Sequence, residues 1–92
     1  MNSKSPPPLA KLPEPTVEVR LFAALREQAG WDRRRVSLSE GATAALLWPA
    51  LGLGSGALPS AVRVAVNQVF ADPQRPLNPG DELAYLPPIS GG

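Results

Sequence analysis

Three stretches of the chain alternate apolar and polar residues with the period of a half-buried β-strand. In "TVEVRLF" (16–22) Val17, Val19 and Leu21 point one way and Glu18, Arg20 and Phe22 the other. In "SAVRVAV" (60–66) Val62, Val64 and Val66 turn inward, with Arg63 and Ala65 outward. In "ELAYLP" (82–87) Leu83 and Tyr85 turn inward, with Ala84 and Leu86 outward. "RRRVSL" (33–38) reads as a further strand, and "VF" (69–70), behind an "NQ" turn, as a short extra segment.

Helical signals fall between these strands. "AALREQAG" (23–30) predicts a short helix or turn capped near Gly30. "SEGATAALLWPALGLG" (39–54) holds the main helix, with Thr43 as N-cap. Pro49 lacks a backbone donor and clashes with the preceding turn, so that helix is expected to be short, kinked or restarted. Gly52, Gly54, Gly56 and Pro59 mark a mobile loop, and Pro79-Gly80 suits the centre of a type II turn. The order β, β, α, β, β, with the first strand beside the last, predicts an α+β fold: a mixed sheet packed on one main helix.

Strand parity also places apolar residues where none are needed for a core. Phe22 and Leu86 fall on outward rows, and Phe70 lies just beyond a turn. Single exposed apolar residues are ordinary. If the first and last strands are neighbours, however, these three form one patch, as partner-binding surfaces do.

Composition narrows the chemistry. With 92 residues, 43% of them apolar, the chain makes one modest domain. A net charge of +1 and one basic cluster, "DRRR" (32–35), argue against nucleic-acid binding; the cluster reads more simply as an exposed strand start. No apolar run is long enough for a membrane span or a signal peptide, so a soluble, cytoplasmic protein is expected. There is no Cys and no His, and the eight acids are scattered. Thiolate and imidazole chemistry are therefore excluded, and no metal site or paired-carboxylate site is expected. Any covalent chemistry falls to a group that is not a side chain.

The ends of the sequence suggest which group that is. Residues 1–15 contain five of the twelve prolines and little apolar bulk, so a disordered extension is expected, then a domain over 16–86. Residues 87–92, "PPISGG", form a tail. Pro87 and Pro88 cannot donate ladder hydrogen bonds; they end the sheet and project the last four residues away from it. Six extended residues reach roughly 20 Å, enough to enter a deep site on another protein. Gly91 and Gly92 have no Cβ to block a narrow entry. The tip offers an α-carboxylate, which coupling to AMP makes attackable and sulfur attack converts to a thiocarboxylate. On these grounds alone, an inert flexible end is the simpler reading.

From Val17 to Gly92 the chain resembles the MoaD family, the small sulfur-carrier subunits of molybdopterin synthase among the ubiquitin-like β-grasp proteins. The resemblance lies in "VRLFAALREQAG" (19–30), the "EGAT" entering the helix, "VRVAVNQ" (62–68) and "PLNPGDELAYLPPISGG" (76–92), in order over about four-fifths of the chain. It implies that Gly92 is adenylated by an E1-like (MoeB-like) adenylyltransferase using ATP, then thiocarboxylated from a sulfur donor protein. The tail, narrowed at Gly91, would then insert into the large catalytic (MoaE-like) subunit and give sulfur to cyclic pyranopterin monophosphate. The chain would bind no cofactor and would not be an enzyme alone, but the sulfur-donor subunit of a sulfurtransferase. Phe22, Phe70, Leu86, Pro87 and Pro88 would meet the partner. Two features depart from the family pattern: the proline-rich leader, and Pro49 with its glycine-rich run where members have a longer helix. Sulfur delivery for thiazole, cysteine or transfer-RNA thiolation is the nearest alternative, and a ubiquitin-like modifier or interaction module another.

Overall fold

A computed structural model of the chain describes residues 14–54 and 56–88. Seven elements succeed one another: β1 (Thr16–Leu21), α1 (Ala23–Ala29), β2 (Arg33–Ser37), α2 (Ala44–Ala50), β3 (Arg63–Val66), β4 (Val69–Phe70) and β5 (Glu82–Leu86). They build one five-stranded sheet in the order β2-β1-β5-β3-β4. The central pair, β1 and β5, runs parallel with Val19 opposite Leu83 and Leu21 opposite Tyr85. The other pairings are antiparallel. The first and last strands are neighbours, as the order of elements predicted, and the fold is a ubiquitin-like β-grasp.

The inner face of the sheet carries the core. Val17, Val19 and Leu21 of β1 and Leu83 and Tyr85 of β5 are almost fully buried, joined by Val64 and Val66 of β3. Each such side chain contributes about 1.5–3 kcal/mol by leaving water. Helix α2 adds Ala44 and Trp48. The Trp48 and Tyr85 rings meet edge to face at 5.1 Å, and the Tyr85 hydroxyl donates to the Ala44 carbonyl at 2.6 Å. Burial pushes the Tyr85 phenol above its ordinary range, because its anion would be formed away from water.

The two helices are equal in length, at seven residues each. Helix α2 is the main one by burial, since α1 has no fully buried residue. Thr43 caps α2 as expected, its hydroxyl accepting the Leu46 N–H at 3.1 Å. Pro49 lies inside the final turn without opening the helix. The stop comes immediately afterwards: Gly52 at φ 75° lets its own N–H reach the Pro49 carbonyl and the Leu53 N–H reach the Trp48 carbonyl. That pair of hydrogen bonds is a Schellman ending, which favours a left-handed glycine. Gly54 is held to glycine for another reason, since a Cβ there would lie 2.6 Å from Trp48 Nε1.

Other boundaries shift slightly. The third strand begins at Arg63 rather than Ser60, because the Val62 N–H turns back to the Pro59 carbonyl. Helix α1 ends as expected at Gly30, whose N–H reaches the Arg26 carbonyl. The type II turn at Pro79-Gly80 is present: the Asp81 N–H bonds the Asn78 carbonyl at 3.0 Å and Gly80 has φ 87°. Of the leader, residues 1–13 lie outside the described residues, whereas the Pro15 carbonyl already accepts the Leu38 N–H at 2.9 Å.

Candidate functional site

The outer face of the sheet is built differently. Ala65 and Ala84 sit opposite one another on β3 and β5. They face outward, as expected, yet are 7% and 9% exposed, so they are not solvent-facing positions. Their methyl groups form a low floor between taller neighbours: Phe22 and Leu86 on one side, Phe70 and Gln68 on the other. The result is a groove of about 270 Å³. Thus the structure brings Phe22, Phe70 and Leu86 together. Phe22 and Leu86 are half-buried and Phe70 is 59% exposed, an unusual state for a phenylalanine beside an apolar groove.

Local backbone chemistry sets each wall. Phe22 comes directly after β1, and the chain turns at Ala23 through a positive φ of 52°. Phe70 is carried by a two-residue turn in which Asn67 and Gln68 have φ 53° and 71°, the primed geometry that matches strand twist. This turn is pinned. Asn67 Nδ2 donates to the buried Asp81 carboxylate at 2.9 Å, Asn67 Oδ1 accepts the Glu82 N–H at 3.0 Å, and the Asn78 N–H closes on Asp81 at 2.8 Å. The clamp fixes the Phe70 hairpin to the start of β5.

Charge surrounds the apolar walls. Arg20 Nη1 pairs with Glu82 Oε2 at 3.0 Å, and its guanidinium lies 4.9 Å from the Phe22 ring centre. Arg63, opposite Leu86 in the ladder, stacks 4.1 Å from the centre of the Phe70 ring. The groove's carboxylate is thus neutralised by its own arginine, and its lining supplies contact and orientation. Among the described residues no group of His, Cys, Asp and Glu could hold a metal ion, and no helix is long and apolar enough to cross a membrane.

Leu86 connects this groove to the tail. Pro87 is half-buried and Pro88 exposed, directly past the end of β5. Gly91 and Gly92 lie outside the described residues. Parity in the sequence located two of the apolar walls, Phe22 and Leu86, and Phe70 was marked by its place just beyond a turn. Parity did not single out Arg20, Arg63, Gln68 and Glu82, although it places Arg20, Arg63 and Glu82 on the same outward rows. Their significance needed the strand order, which sets Arg20 near Glu82 and Arg63 near Phe70.

The family model described as the ThiS family matches residues 19–92. The chain belongs to the ThiS family. It is 36% identical over 81 residues to the molybdopterin synthase sulfur carrier subunit of Chlamydomonas reinhardtii, a match covering 83% of this chain and 98% of that protein. The crystal structure of H. volcanii small archaeal modifier protein 1 superposes with a TM-score of 0.69 at 32% identity, covering 82% of this chain and 99% of that one. A chain of the complex between subunits 1 and 2 of molybdopterin-converting factor from Helicobacter pylori 26695 gives a TM-score of 0.56 at 27% identity, covering 84% and 99%. Membership of a family of small sulfur carriers of the ThiS and MoaD kind agrees with the resemblance read from the sequence.

Proposed function

We propose that this ThiS-family protein is the sulfur-carrier subunit of a molybdopterin synthase, acting through its C-terminal glycine. The observation that carries this reading is the continuity of groove and tail. Leu86 forms a groove wall and leads straight into Pro87 and Pro88, within a family match that runs through Gly92. A partner seated on Phe22, Phe70 and Leu86 would also meet Pro87 and Pro88, the next residues of the chain.

The chemistry then resides in the Gly92 carboxylate. An E1-like adenylyltransferase lets that carboxylate attack the α-phosphate of ATP, releasing pyrophosphate and leaving an acyl-adenylate. Sulfur from a donor protein, released at the sulfide level by a thiol reductant, attacks the carbonyl carbon, and AMP departs. The resulting thiocarboxylate passes its sulfur to cyclic pyranopterin monophosphate inside the large subunit, and hydrolysis restores the carboxylate. Gly91 keeps the approach narrow, since no side chain flanks the reacting carbonyl. The subunit-1 and subunit-2 complex of the H. pylori neighbour supports a large-subunit partner for the groove.

Intact-mass spectrometry tests the proposal. Incubation with the adenylyltransferase, ATP and a sulfur donor is expected to exchange one terminal oxygen for sulfur, and addition of large subunit and pterin precursor to reverse it. An unchanged mass with an enzyme proven active on another carrier contradicts the reading. A second reading, attachment to other proteins, is favoured by the likeness to the archaeal modifier. It predicts isopeptide adducts on lysines in place of the returned carboxylate.

A further inference from the structure

Two arginine–aromatic stacks border the groove, and they differ in one respect. The guanidinium beside Phe22 belongs to Arg20, whose N–H edge is already engaged by Glu82. The guanidinium on Phe70 belongs to Arg63, which is exposed and has no ion-pair partner among the described residues. Across the whole outer face the acids are consumed in the same way: Glu18 pairs with Arg33 at 3.1 Å and Glu82 with Arg20. What remains is cationic.

A guanidinium stacked on a ring uses its flat face and keeps its in-plane N–H fork available. That fork matches the two oxygens of a carboxylate, and stacking restrains it beforehand, so less side-chain freedom is lost on pairing. Arg63 also faces Leu86 across the ladder, which sets the open cation between two apolar walls.

We infer that Arg63 is a specificity-determining residue of the groove, recognising an Asp or Glu carboxylate on the partner protein beside the apolar side chain that the groove takes. This rests on the docking role given to the groove above. The large subunit therefore presents an apolar anchor with an acidic neighbour, and the pair reads as one element against Phe70 and Arg63. Phe70 supplies burial and Arg63 supplies charge sign and register, the usual division between an apolar anchor and a polar rim.

Calorimetric binding of the full-length chain to the large subunit, at low and high salt, tests this. Arg63→Met keeps an apolar stem over Phe70 and is expected to weaken binding by about tenfold and flatten its salt dependence. Arg63→Lys keeps the charge but loses the stacked fork, and is expected to weaken binding by less than Arg63→Met while keeping the native salt dependence. Arg35→Met removes the same charge from the same face at the far edge strand, opposite Glu18, and is also expected to stay within about threefold. Native affinity in Arg63→Met, equal losses in Arg63→Met and Arg63→Lys, or equal losses in Arg63→Met and Arg35→Met would each overturn the inference while leaving the docking role intact. Absence of binding by the native chain overturns the docking role and this inference together.

Discussion

The two faces of the sheet are made from the same strands and obey opposite rules. On the inner face, β1, β3 and β5 present Val, Leu and Tyr at successive inward positions, and helix α2 closes over them with Trp48. On the outer face the same strands present Arg20, Arg63, Ala65, Glu82 and Ala84, and among the described residues no helix covers them. The inner face fills its volume with large side chains that touch on every side. The outer face keeps its centre low with two alanines and raises aromatic and charged walls around it. A surface of that shape stabilises the monomer little and is well formed to receive another molecule. Stability and recognition are therefore segregated by strand parity.

Substitutions should separate the two faces. The largest effect belongs to Leu83→Ala, which empties a fully buried position and is expected to cost about 2–5 kcal/mol of stability in urea unfolding. Loss of less than about 1 kcal/mol there would show that the core lies elsewhere. Phe70→Ala is expected to do the reverse: it should weaken large-subunit binding by about 1–3 kcal/mol while changing stability by less than about 1 kcal/mol. Comparable stability losses at both positions would erase the distinction between the faces.

A smaller effect concerns Tyr85, whose hydroxyl sits on the inner side. Its folded-state proton is held above the ordinary range, so above pH ~10 the unfolded chain releases a proton that the folded chain retains. The contribution is fully present below that pH and falls as the pH rises further. Tyr85→Phe should remove that alkaline slope and cost about 1 kcal/mol at neutral pH through the lost bond to the Ala44 carbonyl. An unaltered slope in the variant would assign the alkaline loss to another group.

Period-two alternation made the inner face legible from residues alone, because a half-buried strand leaves a direct record in its sequence. Thr43 and Gly30 were legible for the same local reason: capping depends on residues within one turn. The outer face was only half legible. Parity gave Phe22 and Leu86 their side, but Ala65 and Ala84 read as exposed positions, since burial by neighbours on adjacent strands leaves no local pattern. The Asn67–Asp81 clamp joins residues 14 positions apart and depends on β3 lying next to β5. Arg63 gained its meaning from Phe70, which reaches it only through the turn at Asn67 and Gln68. Pairing across strands, more than residue type, is what the sequence alone withholds.

Under the proposed function the reactive atom belongs to the main chain: the carbonyl carbon of Gly92, delivered by a groove that does no chemistry itself. Sulfur transfer by a chain lengthened by one residue beyond Gly92 tests this most directly. The lengthened chain is expected to fold and bind the large subunit normally and to yield no dithiolene product. Product formation at the native rate, with the added residue still attached, would contradict the proposal.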